Sequence, residues 1–161
     1  MDQLKKYLPL FAIALLAFWQ IAFFQHLLKW DNVDYFLPMR HFFSNELRQG
    51  ELPGWNPFVN LGFPHFADPQ SGSWYPMVWV LSLFKSYGFS SLNAEWFLHV
   101  FLGGVGMYKL LESLKLRRAA VVIGSTAFML CGFNVGTAQI LPFIIGACWL
   151  PWCIWGFKRF V

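Results

Sequence analysis

Charge is what this sequence has least of. Asp, Glu, Lys and Arg make up only 12% of its 161 residues, against roughly 25% in ordinary soluble domains. A water-solvated globule is therefore a poor reading. The basic residues, which leave a net charge of +4, form no stripe with interleaved stacking aromatics, so no nucleic-acid partner is expected. Cysteine is scarce too. Cys131, Cys148 and Cys153 all lie in apolar stretches and make no CxxC pair, which argues against a disulfide framework or a zinc site and leaves them as small packing residues. Also missing are a Gly-rich phosphate loop, a GxSxG elbow and an HExxH helix. Nucleotide hydrolysis, serine hydrolysis and zinc proteolysis thus have no support.

What the sequence does have is apolar length, with 57% hydrophobic and 20% aromatic residues. Four segments read as spanning helices: residues 7–28, 92–111, 119–135 and 140–157. The first reaches about 33 Å as a helix, enough for a hydrocarbon core. It outruns a signal peptide's apolar region and ends in Gln25 and His26, not at a small-residue cleavage site, so it is expected to stay attached. Basic residues precede the first span (Lys5, Lys6), separate the second from the third (Lys115, Arg117, Arg118) and follow the fourth (Lys158, Arg159). All of them are cytoplasmic if the N-terminus is inside, as the positive-inside rule asks. The expected architecture is an all-α polytopic membrane domain over residues 1–161, with residues 29–91 as an outer loop. The apolar run 76–84 is too short to cross. It is expected at the outer interface or partly re-entrant, anchored by Trp74, Tyr75 and Trp79. Four spans are few for a transferase or transporter, so a longer parent chain is expected.

The outer loop holds five of the eight acidic residues: Asp31, Asp34, Glu46, Glu51 and Asp68. Its middle, 38–49, reads as a helix. Pro38 suits a first turn and Gly50 a stop, and Met39, Phe42, Phe43 and Leu47 share one face, opposite Arg40, Ser44, Asn45 and Arg48. Such a helix is expected to lie on the membrane with its aromatic face in the headgroup boundary. The segments LPGWNP (52–57), LGFP (61–64) and WYP (74–76) specify turns.

Asp31 and Asp34, three apart, face one side if that turn is helical. A carboxylate against apolar walls suits a general base or a metal ligand; alternatively, Asp31 or Asn32 simply caps the helix. His65 and Asp68 have a spacing that brings a metal or a sugar hydroxyl within reach, or they belong to a solvated loop. Arg40, with His41, is placed to meet a lipid phosphate, whether of a substrate or of ordinary lipid. Within the spans, Glu95, Lys109 and Glu112 lie near helix ends and are expected to snorkel, whereas His99 is deeper and a weak site candidate.

The order of motifs resembles the bacterial YfhO-like membrane proteins. Asp31 is followed after six residues by Pro38, then by LRxG at 47–50, LPxWNP at 52–57, GxP at 62–64 and YP at 75–76. Downstream come HxxxGxxxMY from His99, LRR at 116–118, SxxFxxxGF at 125–133, Gln139 and WLPW at 149–152. That family looks like the GT-C class of glycosyltransferases, which move a sugar from a polyprenyl-phosphate carrier to an acceptor outside the cytoplasm. The resemblance implies a bacterial inner-membrane enzyme with Asp31 as the catalytic carboxylate and Asp34 beside it. Arg40, His41, Trp55, Asn56, His65 and Asp68 are then substrate contacts, and a divalent cation is an open option. A transporter or flippase for a lipid-linked sugar, or a non-catalytic membrane subunit, are the other classes this sequence fits.

Overall fold

A computed structural model describes residues 2–160. It is mostly helical: α1 (Asp2–Lys5), α2 (Leu8–Ala17), α3 (Trp19–Ala22), a π-helical turn (Asn32–Phe36), α4 (Leu37–Arg48), α5 (Pro76–Phe84), α6 (Phe89–Ser113), α7 (Arg118–Met129), α8 (Gly132–Gly136) and α9 (Leu141–Phe160). Two short strands, β1 (Trp55–Asn56) and β2 (Phe63–Pro64), pair antiparallel with Trp55 opposite Pro64 and Asn56 opposite Phe63. The chain divides into two compact units, Leu27–Glu95 and Met1–His26 with Trp96–Val161.

In the second of these units, two helical segments are long and apolar enough to cross a membrane, Arg118–Gly136 and Leu141–Phe160. Only 22% of each is buried within the protein. The core helix of a soluble protein would be mostly covered; these instead expose Ile123, Phe143, Leu150, Ile154 and Phe157, a surface suited to lipid. The first segment is interrupted after Met129, and Asn134 repairs the end of α7 by donating to the Phe128 carbonyl at 2.8 Å. Side-chain capping of this kind satisfies carbonyls that have lost their helical partners.

The continuous helix expected over 7–28 is not what forms. α2 has ten residues, about 15 Å of rise, and α3 ends at Ala22. There the Gln25 amide reaches back to the Gln20 carbonyl at 2.8 Å, with Phe24 in the left-handed region at φ 59°. That closure normally carries glycine, so no stop residue announces it. The run expected over 119–135 is divided between α7 and α8, whereas α6 and α9 run a few residues longer than the apolar runs that predict them.

In the Leu27–Glu95 unit, α4 packs against α5 and against the π turn. α4 starts with proline in its first turn. It ends in a Schellman closure: the Glu51 amide bonds the Glu46 carbonyl at 3.0 Å and the Gly50 amide bonds Leu47 at 3.1 Å. Gly50 takes the φ of 85° that this stop requires. The segment 76–84 is a nine-residue helix with Val78 and Ser82 buried. Trp79, expected as a headgroup anchor, instead sits 5.3 Å from the Phe43 ring and donates to the Ser73 carbonyl at 2.7 Å. Trp74 remains exposed.

Candidate functional site

The buried side of α4 is not the aromatic stripe read from the sequence. Leu37, Met39, Arg40, Phe43 and Ser44 are buried, so the inward face is turned enough to take Arg40 and Ser44 with it. The reason is a partner distant in sequence. The Arg40 guanidinium, 1% exposed, is ion-paired with Glu95, itself 0% exposed, and also donates to the Tyr87 hydroxyl at 3.1 Å. Tyr87 in turn donates to Glu95 at 2.6 Å. Burial works to lower the Arg40 group, but the Glu95 charge and Tyr87 outweigh it and hold it above its ordinary value. Burial and then the Glu95 charge push the Tyr87 phenol well up. Arg40 is thus a core cation engaged within the fold, not the exposed phosphate contact expected of it. Nor does Glu95 snorkel.

His65 and Asp68 are also inside, correcting the solvated-loop alternative. His65 is fully buried among Phe42, Phe43 and Phe66, with ring centroids at 5.2, 6.3 and 6.5 Å. Neither of its ring nitrogens has a hydrogen-bond partner among the described residues. Burial lowers its pKa, opposed by the Asp68 charge. Asp68 accepts from the Tyr35 hydroxyl and from the Gln70 amide at 2.9 Å. Tyr35 is pushed above its ordinary value by burial first and then by that bond. Asp68 therefore fixes the turn to the π segment.

With Arg40 turned inward, one ridge of the π turn and α4 carries the exposed Asp34, Pro38 and His41 and the half-buried Asn45, at spacings of four, three and four. Those spacings keep one side of a helix. The ridge ends in a cavity of about 430 Å³ lined by Pro38, His41, Phe42, Asn45, Asn56, Phe58 and Val59, within the size range of small-molecule sites. His41 Nδ1 donates to the Tyr87 carbonyl at 2.8 Å, which leaves Nε2 to accept from Asn45 at 3.0 Å. Those two bonds fix the orientation of the ring. Asn56 is held by the β1–β2 pair, and its Oδ1 accepts from the Phe58 amide at 3.0 Å. Imidazole, two carboxamides and two phenyl rings are the groups that bind a sugar's hydroxyls and its apolar ring face.

Two of the sequence candidates, His41 and Asn56, meet in this cavity. Trp55 does not line it; its ring lies over Gly62, where an added Cβ would come within 2.4 Å and where φ is 120°. Asn45, read only as part of the polar face of α4, and Phe58 were not among the site candidates, although Asn45 stands one helical turn after His41. Asp31 and Asp34 are both exposed. Asp31 occupies the N-cap position of the π turn but makes no side-chain capping hydrogen bond, which removes Asp31 from the capping alternative. π turns widen the helix and recur at functional sites. Among the described residues, no three His, Cys, Asp or Glu side chains converge as metal ligands. Compared with protein-family models, curated proteins and solved structures, the chain matches none.

Proposed function

We propose that this chain is a membrane glycosyltransferase module of the GT-C kind, taking a sugar from a polyprenyl-phosphate carrier to an acceptor on the outer face of a bacterial inner membrane. In this reading the interrupted helical run that ends at Ala22 crosses, as do the greater part of 92–111, 119–135 and 140–157, the N-terminus is cytoplasmic, and the body of the Leu27–Glu95 unit stands outside. The exposed Trp55, Phe58, Leu61, Leu83 and Phe84 seat it in the headgroup layer. The observation that carries the reading is the pair of exposed carboxylates, Asp31 and Asp34, at the head of a ridge that leads to the His41–Asn45–Asn56 cavity.

The chemistry asks for little more. An acceptor hydroxyl attacks the anomeric carbon as its proton passes to Asp31, while the bond from that carbon to the carrier's phosphate oxygen breaks and the phosphate leaves as an anion. Asp34 supports the charge change beside Asp31. His41, Asn45 and Asn56 hold the sugar, and Phe42 and Phe58 face its ring. Asp31→Asn keeps shape and removes the base. In membranes supplied with a polyprenyl-phosphate-linked sugar, transfer is expected to fall by about 100-fold or more, with membrane insertion unchanged. Undiminished transfer removes the assignment.

A further inference from the structure

In the unit formed by Met1–His26 and Trp96–Val161, a polar cavity of about 500 Å³ is lined by Leu4, Lys6, Tyr7, Lys109, Glu112, Ser113 and Trp155. A second, apolar cavity of about 380 Å³ shares Leu4, Tyr7 and Lys109 with it and continues along Leu8, Phe11, Phe101, Val105 and Trp152. A charged mouth therefore opens into a greasy groove. The mouth is not neutral. Lys6 is ion-paired with Glu112 at 3.0 Å, which uses the one carboxylate lining the cavity. Lys109 faces only rings, 5.1 Å from Trp152 and 4.8 Å from Trp155, and has no carboxylate partner among the described residues. Lys158 donates to the Ser113 hydroxyl at 3.2 Å, and the Arg159 guanidinium lies 5.1 Å from the Trp155 ring. Lys109 in the lining and Lys158 on the lining residue Ser113 thus add positive charge beside one neutralised pair.

We propose that this composite cavity is a binding site for an anionic phospholipid, its phosphate against Lys109 and its acyl chain along the groove. Charge complementarity selects the headgroup. Basic pockets between membrane helices hold anionic lipids on the same grounds, whereas a zwitterionic headgroup gains little there. The tryptophans suit the depth at which a headgroup meets its chain. The site is independent of Asp31 and of sugar transfer.

The test uses the whole chain in mixed micelles, comparing spin-labelled phosphatidylglycerol with spin-labelled phosphatidylcholine. The wild type is expected to immobilise phosphatidylglycerol preferentially. Lys109→Gln is expected to cut that preference about fivefold, the scale of one basic residue at an anionic surface, and Lys109→Arg to retain it. Val105→Trp, which fills the groove, is expected to release the lipid. Equal retention of the two lipids, no effect of Lys109→Gln, or complete displacement by excess inorganic phosphate would overturn the proposal, the last by showing a site for a free anion. Circular dichroism matching the wild type establishes that each variant is folded. If Val105→Trp fails that check, the lysine pair alone decides.

Discussion

The two units handle polarity in opposite ways. In Leu27–Glu95 the interior holds Arg40, Glu95, Asn56, His65, Asp68 and five serines. In the other unit the interior is chiefly Leu10, Ala14, Val100, Val105, Val121, Met129, Leu141 and Ile144, and the ion pair Lys6–Glu112 is partly exposed. Exposed pairs contribute little to stability, whereas a buried charge demands its partner. The first unit is held by specific polar contacts among elements far apart in sequence. The second follows a composition rule, apolar outside as well as in, that suits lipid as its solvent.

The change expected to separate the units most is Glu95→Leu, which leaves Arg40 charged and unpaired. Removing one partner of a buried pair costs about 3–5 kcal/mol, so denaturation in detergent should show the Leu27–Glu95 unit melting first and much earlier than in the wild type. Arg40→Met combined with Glu95→Leu is expected to recover most of the loss. If Glu95→Leu alone is harmless, the polar core is not what holds this unit.

A smaller effect concerns His65. Its folded-state pKa lies below the ordinary value near 6.5, so the folded unit binds the proton less readily than the unfolded chain. Stability is then complete above about pH 6.5 and declines as pH falls through that value toward the folded pKa. Unfolding followed between pH 7.5 and 5 should show the decline, and His65→Phe should flatten it. An unchanged slope in His65→Phe would assign the acid sensitivity to another group.

Which parts of the fold were legible in the sequence follows the same division. Apolar runs flanked by basic residues, at the start of α7 and at the end of α9, mark these helices, because composition alone decides whether a helix suits lipid. Pro38 and Gly50 bracket α4 within a residue or so, because local stereochemistry decides where a helix starts and stops. The inward turn of Arg40 was not legible, since its cause, Glu95, lies 55 residues away and looks like a span-end charge. The end of α3 was hidden because Phe24 takes a conformation that glycine usually signals. Of the candidate site, His41 was named from its place on α4 and Asn56 only through the resemblance, whereas Phe58 joins them only once the β1–β2 segment meets α4, with the Phe42 and Phe58 rings 6.1 Å apart.

The account depends most on which side of the membrane the polar-cored unit occupies. In a background with Cys131, Cys148 and Cys153 replaced by serine, single cysteines at Asp34, Gln70 and Lys115 can be exposed to a membrane-impermeant maleimide on intact cells. Positions 34 and 70 are expected to label from outside, and position 115 only after permeabilisation. Labelling of 115 from outside, with 34 and 70 protected until the cells are opened, would contradict it.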